Sequence, residues 1–305
     1  IGVGYSAGNA ITTGVKNIII GGLAGDAITT AEGNVAMGHS ALSSNVLGSY
    51  SLAIGFRALN NQNPASAVDM YNTAIGTDAG LAVTTGIQNT FIGGLAGDST
   101  TTGSSNVAVG KSALAANTTA SSNTAIGHGS LTANTTGADN TAVGRNALDA
   151  NTTASFNTAI GRNALTDNTT GASNTAVGYG SQANTTTGGS NTSVGTNSLE
   201  ANTTGEYNVA IGLQALDSAT TPDYNTAVGY TSGRLISTGE KNTLVGGLTG
   251  DKLTVGSSNV GMGYGVLFSD TKGSRSVAVG FSALTNQNFT SATETYNTAV
   301  GYQAG

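Results

Sequence analysis

Aliphatic residues recur along this chain in a short and regular pattern. Residues 140–144 read NTAVG, and close copies such as NTAIG and NVAIG follow one another along the chain. Numbered from the Asn as position 0, the Ala is position +2, the Val or Ile is position +3 and the Gly is position +4. β-Branched residues favour strands, whereas each recurring Gly would cost a helix about 1 kcal/mol. The pattern therefore predicts a short β-strand that ends at a glycine bend.

The period of this pattern is nearly constant. Position 0, which is Asn or Ser, first falls at 17 in a complete repeat and then recurs with a 17-residue spacing; the two exceptions are 21-residue steps, from 51 to 72 and from 276 to 297. Position +4 is Gly in every repeat, and position +14 is Gly in most of them. Gly adopts positive φ and permits close backbone contact more easily than other residues, so we expect bends at both positions.

A 17-residue coil accommodates two short strands and two bends, whereas a propeller blade needs roughly 40 residues. Stacked coils pair their strands in parallel, and equivalent residues then form ladders of Asn on Asn, Thr on Thr and Ile on Val. The sequence therefore predicts an all-β fold, a parallel β-solenoid of 17-residue coils that runs as one continuous repeat region over residues 1–305. Since the chain begins and ends inside a repeat, we expect it to be a fragment of a longer polypeptide.

Both faces of the predicted strand are apolar. Neighbouring residues of a strand point to opposite faces, yet Ala142 and Val143 are both apolar, as are Ala159 and Ile160. A strand that is apolar on both faces is usually buried on both. We expect Val143 and its equivalents to fill the interior of the coil, and Ala142 and its equivalents to contact another copy of the chain. The alternative is a mildly apolar face that stays exposed.

A longer repeat is superimposed on the coils. Residues 5–80 match residues 230–305 at 39 of 76 positions, and the two 21-residue coils, 51–71 and 276–296, coincide in this alignment. Their extra residues fall within 60–71 and 285–296. Loops on a rigid scaffold often carry binding sites. These two stretches are therefore either protruding loops that bind a ligand or bulges that only adjust the twist.

Composition and charge exclude several classes of protein. Charged residues make up only 9% of the chain, the net charge is −6 and the ten Lys and Arg residues are scattered, so we expect no nucleic-acid partner. No apolar run approaches the length of a membrane helix, and the lack of Cys removes disulfides and thiolate metal sites. The fixed positions of the aliphatic residues argue against disorder.

No group of residues points to catalysis, a cofactor or a metal. His39 and His128 are far apart in sequence and occupy the variable position +5, so they form no triad or metal-ligand set. Asp26, Asp98 and Asp251 follow Gly, but their spacing is wrong for a calcium-binding β-roll. We therefore expect no enzyme activity, no cofactor and no metal site.

The threonine pairs at positions +12 and +13, such as 118–119 and 135–136, raise two further hypotheses. A flat Thr array could bind ice, although adjacent Thr residues in a strand would point in opposite directions and leave one column. Many of the Asn-Thr-Thr triplets also fit the N-glycosylation pattern, which matters only in a secreted protein whose host glycosylates it.

The repeat as a whole resembles known fibre proteins. NTAVG, NVAIG and SVAVG are similar to the head repeats of YadA-like trimeric autotransporter adhesins, and the unit NTAVGxxALxANTTGxxN is similar to repeats of bacteriophage tail fibres. The resemblance covers essentially the whole chain, and it implies a left-handed parallel β-roll in which three chains share a core. The 17-residue period is longer than that of the adhesin heads, so the cross-section and the interface do not transfer directly.

From these observations we expect a homotrimeric rod that assembles through the Ala, Val and Ile strand faces and belongs to an extracellular fibre. Such a fibre would lie on a cell surface or a virion and attach to a host glycan or protein, without insertion of this region into a membrane. The alternative is a self-assembling extracellular filament or sheath. A third hypothesis is an ice-binding or glycan-processing solenoid, although a catalytic groove would need acidic residues that break the periodic pattern.

Overall fold

A computed structural model describes residues 1–305, which divide into two compact units, Ile1–Ser155 and Phe156–Gly305. Each unit is all-β and consists of coils that mostly carry one short strand; the 21-residue coil of each unit and the coil before it carry two. The structure contains no helix of the length and apolarity needed to cross a membrane.

In the first unit, strands of successive coils pair in parallel and in register. Thr124, Ala125 and Ile126 lie beside Thr141, Ala142 and Val143, so equivalent positions of the repeat stack on one another. The strands are β1 Gly2–Val3, β2 Ile18–Ile20, β3 Val35–Met37, β4 Gly48–Ser49, β5 Leu52–Ile54, β6 Val68–Asp69, β7 Thr73–Ile75, β8 Thr90–Ile92, β9 Val107–Val109, β10 Thr124–Ile126 and β11 Thr141–Val143.

The second unit repeats this arrangement, for example with Thr158↔Thr175 and Ile160↔Val177 in register. Its strands are β12 Thr158–Ile160, β13 Thr175–Val177, β14 Thr192–Val194, β15 Val209–Ile211, β16 Thr226–Val228, β17 Thr243–Val245, β18 Val260–Met262, β19 Gly273–Ser274, β20 Val277–Val279, β21 Thr293–Glu294 and β22 Thr298–Val300. The predicted parallel β-solenoid of 17-residue coils is confirmed.

The second strand that we predicted for each coil is absent from most 17-residue coils; the exceptions are β4 and β19, in the coils that precede the two 21-residue coils. The backbone at positions +6 and +8 lies instead in the left-handed region, as at Asn146 (φ 55°) and Leu148 (φ 51°). Such residues interrupt an extended strand, and this part of the coil forms turns. Its amides still bond to the next coil, as from Leu131 N to the Ala147 carbonyl at 3.0 Å. Inter-coil hydrogen bonding therefore continues where the strand geometry stops.

Two glycine columns have different roles. At position +4, Gly110 has φ 134°, a conformation that residues with a Cβ rarely adopt. At position +14, glycines such as Gly137 have no such φ, but a Cβ there would approach the Ala154 carbonyl oxygen to 2.1 Å. The first column therefore needs Gly for its conformation, and the second accommodates close backbone stacking.

The assignment of the two strand faces was wrong. Ala142 is fully buried inside the coil, whereas Val143 is half-buried on the outside. Position +8 supplies a large side chain to the interior in most coils, and Leu148 there is also fully buried. A small residue at +2 is therefore what fits beside a Leu at +8, and the larger aliphatic residue at +3 points outward.

Stacked Asn side chains hold the coils together, as the ladder prediction required. Asn123 Nδ2 donates across its own coil to the Gly137 carbonyl at 2.9 Å, and its Oδ1 accepts from the backbone N of Asn140 in the next coil at 3.0 Å. A second Asn column at position +11 reaches the same carbonyl, with Asn134 Nδ2 at 2.9 Å from it. The core is thus part apolar and part hydrogen-bonded amide, and the Asn column at position 0 pairs both within a coil and between coils.

Candidate functional site

The candidate residues from the sequence do not come together. His39 and His128 are exposed; the His39 ring stacks on Phe56 with a centroid distance of 5.8 Å. Asp251 pairs with Arg234 at 2.8 Å, and no three His, Cys, Asp or Glu residues lie close enough to hold a metal ion. The structure therefore does not bring these candidates together into one group.

The first surface of interest is the strand face, which we define as the outward residues at positions +1 and +3 of each coil. In β10 these are Thr124 and Ile126, and Ile126 is 40% exposed. Positions +1 and +3 carry no charged residue in any coil of the sequence. Each unit therefore presents two parallel columns of Thr, Val, Ile, Leu or Met without charge.

The 21-residue coils leave the strand face uninterrupted. In the first unit, Leu52 still pairs with Thr73 and Ile54 with Ile75 across the longer coil. The second unit is the same, with Val277 opposite Thr298. The extra residues are therefore accommodated elsewhere in the coil, and the register of the strand face is preserved.

The second surface is the corner stripe, which we define as positions +15 and +16, together with Asp69 and Tyr71 and with Glu294 and Tyr296, the equivalents at the ends of the 21-residue coils. Unlike the strand face, it carries aromatic and charged residues. Tyr207 and Tyr224 stack with a centroid distance of 5.0 Å.

In the first unit, the Tyr50 and Tyr71 rings of the corner stripe stack at 5.6 Å, and the Tyr50 hydroxyl donates to Glu32 Oε1 at 2.6 Å. This hydrogen bond, with the nearby negative charge, raises the pKa of Tyr50 to about 12. Deprotonation would remove the donated proton and place two negative charges side by side.

Both 21-residue coils close in the same way. Their additional backbone forms a two-residue strand that pairs with the preceding coil, β6 with β4 and β21 with β19. Position 0 is Ser and position +11 is Gln; Gln62 Nε2 donates to Ser51 Oγ at 3.0 Å. The longer Gln side chain reaches the smaller Ser, whereas the 17-residue coils have Asn at position 0 and, at +11, Asn in some coils and Thr, Asp or an aliphatic residue in others. Residues 65–69 are exposed, so the first extension lies at the surface.

In the second unit this extension borders a groove of about 260 Å³. Its wall includes the ion pair between Arg275 Nη2 and Glu294 Oε1 at 2.9 Å. The Tyr296 hydroxyl donates to the other Glu294 oxygen at 2.6 Å, and the Arg275 guanidinium lies over the Tyr296 ring at 5.6 Å. These three side chains converge at the corner stripe.

Comparison of the chain with protein-family models, curated proteins and solved structures gives no match. The likeness to adhesin heads and tail fibres therefore remains one of sequence motif. What the geometry itself offers is two kinds of surface, an uncharged repeating face and a variable polar corner.

The sequence interpretation missed both surfaces. It placed position +3 inside the coil, and it did not consider the column of residues just before position 0. Once the repeats are aligned, Tyr50, Tyr71, Tyr207, Tyr224 and Tyr296 all fall at the residue just before position 0. That column was the available signal.

Proposed function

We propose that this chain is a structural and adhesive segment of an extracellular fibre, on a cell surface or a virion, and that it assembles as a homotrimer through its strand face. The observation that carries the assembly is the absence of any charged residue at positions +1 and +3 over every repeat. Exposed side chains of a monomeric protein are seldom so uniform, and contiguous exposed apolar surface commonly marks an interface.

The period of the strand face favours a second copy of the chain as its partner. Parallel strands of adjacent coils repeat about every 4.8 Å. A partner that contacts the strand face at every coil needs the same repeat, and another copy of the chain has it. The preserved register across the 21-residue coils supports the same partner, since a long contact requires a column without interruptions.

The adhesive part of the proposal rests on the corner stripe. Its aromatic and charged residues differ from coil to coil, whereas the strand face holds only Thr, Val, Ile, Leu or Met. Variable side chains on a regular scaffold are the usual way in which a repeat protein acquires a binding surface. The fibre would thus present the corner stripe to a host glycan or protein.

The assembly is tested with two sets of variants in the same three coils. The first variant introduces three glutamates on the strand face: Val109→Glu/Ile126→Glu/Val143→Glu. The control introduces three glutamates at position +5 of the same coils, two residues further along: Lys111→Glu/His128→Glu/Arg145→Glu. We expect light scattering to give three times the 29.8 kDa of one chain for the unaltered protein and the control, and a lower mass for the strand-face variant. Circular dichroism checks that β content is retained.

A single-chain mass for the unaltered protein would overturn the trimer. Equal masses for the two sets of variants would show that the strand face is not the contact. Indefinite polymers rather than trimers would instead favour a filament or sheath. For the adhesive role, labelled protein should bind to candidate host cells, and loss of binding on deletion of the corner-stripe side chains, at unchanged mass, would identify the surface responsible.

A further inference from the structure

The groove of the second unit lies where the extra backbone of coil 276–296 meets the two preceding coils. Its wall is formed by Ser257, Ser258, Ser274, Arg275, Thr293 and Glu294. It is open to solvent, because the Arg275 and Glu294 side chains are 52% and 56% exposed. The groove therefore joins hydroxyl groups from three coils to one ion pair in a small, accessible recess.

The charged groups of the groove are fixed in position by one another. Arg275 and Glu294 pair at 2.9 Å, and Tyr296 donates to Glu294 at 2.6 Å. The Tyr296 hydroxyl and the Arg275 charge both lower the pKa of Glu294, so its carboxylate stays ionised as an acceptor at neutral pH. The guanidinium is a planar donor with several N–H groups. A donor and an acceptor of opposite charge are thus held side by side.

We propose that this groove binds a neutral sugar unit of a saccharide. Adjacent hydroxyl groups of a sugar both donate and accept hydrogen bonds, and they match an Arg–Glu pair that offers both functions at neighbouring points. Because the two charges compensate each other, the groove favours neither an anionic nor a cationic ligand. Tyr296, which is 64% exposed, adds an aromatic surface for the C–H groups of the sugar. This inference rests on the adhesive function proposed above and names its ligand class.

The first unit provides an internal comparison. When residues 5–80 are aligned with 230–305, Tyr50, Asp69 and Tyr71 stand at the positions of Arg275, Glu294 and Tyr296. The Tyr71 hydroxyl again donates to the carboxylate two residues earlier, at 3.2 Å to Asp69 Oδ2. The Tyr–carboxylate pair is therefore common to both 21-residue coils, and the Arg that pairs with its carboxylate is specific to the second.

The first-unit site has Tyr50 where the second has Arg275, and its chemistry differs accordingly. Tyr50 stacks on Tyr71 and directs its hydroxyl to Glu32, so the site holds carboxylates without a guanidinium beside them. It lacks the neighbouring donor that we assign to sugar recognition. The substitution Arg275→Tyr gives the second site the Tyr that the first site has at this position. We expect it to weaken saccharide binding at least 10-fold.

The corner stripe extends the surface beyond the groove. The stacked pair Tyr207 and Tyr224 lies on the same column, and Tyr224 precedes Arg275 by three coils, or roughly 14 Å at the spacing of parallel strands. Both rings are about half exposed. A saccharide of several units that enters the groove could therefore also contact these rings, and we expect longer oligomers to bind more tightly than a monosaccharide.

The test uses saturation-transfer NMR and calorimetry on the whole chain. The probes are three defined trisaccharides, one of neutral hexoses, one of N-acetylhexosamines and one of hexuronic acids. We expect transfer to at least one of the two uncharged probes, and at least 10-fold weaker binding by Arg275→Gln and by Glu294→Gln. Arg162→Gln is the matched control, since Arg162 lies in the same unit near another tyrosine, Tyr179, at 5.8 Å from its ring, and should bind as the unaltered chain does.

The inference is overturned if neither uncharged probe binds, if only the hexuronic acid binds, or if both groove variants bind normally. Circular dichroism and light scattering distinguish failure of the saccharide proposal from failure of the assembly proposal. Groove variants that keep their mass and β content but lose the saccharide support the groove and leave the trimer intact. Retained saccharide binding by a chain that proves monomeric would refute the trimer and leave the groove in place.

Discussion

The glycine at position +4 offers the sharpest test of how the coils stack. In Gly110→Ala, the new Cβ would lie 2.5 Å from the carbonyl oxygen of Gly127 and 2.7 Å from its carbonyl carbon. Both atoms belong to the backbone of the next coil and cannot rotate away. In addition, φ 134° is a conformation that costs an L-residue about 1–3 kcal/mol. With the steric displacement added, we expect the substitution to cost about 3 kcal/mol locally.

Hydrogen exchange measures this cost where it arises. The Gly127 amide donates to the Val109 carbonyl at 2.8 Å, so it reports on the contact between these two coils. In a repeat protein, stability is approximately a sum of coil and neighbour terms. A local loss of about 3 kcal/mol should therefore speed exchange in peptides that cover residues 106–127 by roughly 100-fold, since each 1.4 kcal/mol is a factor of ten.

Gly129→Asn is the matched control in the adjacent coil. Gly129 has φ 65°, and the same position of the next coil already holds Asn146 with φ 55°. A Cβ at residue 129 would first meet the end of the Asn146 side chain, which can move. We expect exchange to change less than about 5-fold. Equal exchange in the two variants, or none of the expected acceleration in Gly110→Ala, would refute the role given to the +4 glycines.

Three further changes test the interior and the corner stripe. Gln182→Leu with Ser193→Ala should raise the free energy of unfolding by about 1–3 kcal/mol in thermal unfolding, because Gln182 is fully buried and its Oε1 has no hydrogen-bond partner; an unchanged or lower Tm would contradict this. Asn123→Ala should lower the free energy of unfolding by about 2–4 kcal/mol, since it leaves the buried backbone N–H of the next Asn unpaired, whereas a loss below about 0.5 kcal/mol would mean that water replaces the side chain. Glu32→Gln should return the titration of Tyr50 from about 12 toward its ordinary value, as followed by tyrosinate absorbance; the stability from this hydrogen bond is present below pH 10 and is lost as the pH rises through 12, and an unshifted titration would exclude Glu32 as the cause.

The solenoid itself was predictable because the repeats overlay position by position. A Gly at every +4 position fixes where the backbone turns, and Asn123 with its equivalents fixes the ladder. Periodicity alone could not decide which strand face is inside, because Ala142 and Val143 are both apolar. Which face points inward depends on the size of the side chain at position +8, since a Leu there leaves room only for a small residue beside it.

A signal for the inward face does exist in the sequence. Where position +8 is Gly instead of Leu, position +2 is often large, as in Phe91 with Gly97 and Leu244 with Gly250. The structure explains the pairing, since a Cβ on Gly97 would lie 2.5 Å from the Phe91 ring. Compensation between two positions implies that both face the same closed space, so this pairing identifies +2 as an interior position.

The left-handed residues were harder to foresee. Leu148 has φ 51°, although Leu has no intrinsic preference for that region. Its conformation is held by its neighbours: the side chain is fully buried, and the equivalent Leu131 amide bonds to the next coil. Tertiary contacts thus determine the backbone here, which is why a pattern of side chains predicted a second strand that does not form.

The groove illustrates a similar limit of prediction from the sequence. The extra residues of both 21-residue coils could be located from the spacing alone, and their Tyr–carboxylate pairs coincide when the two coils are aligned. The exchange that gives the second site its guanidinium lies in the preceding coil, where Tyr50 of the first unit is replaced by Arg275. Its consequence depends on geometry, since Arg275 pairs with Glu294 while Tyr50 turns to Glu32.

The position of the extensions explains how such a solenoid can change its ligands without changing its assembly. Four added residues in coil 51–71 leave Leu52 in register with Thr73, because the extra backbone is taken up at the corner and pairs as a short strand with the coil before it. The strand face therefore keeps its uninterrupted columns whatever the corner carries. If the strand face joins the chains and the corner binds the receptor, substitutions and insertions at the corner alter specificity at little cost to the assembly. Exchanging the 50–71 and 275–296 segments, which include Tyr50 and Arg275, should accordingly move ligand preference with the segment and leave the mass of the assembly unchanged.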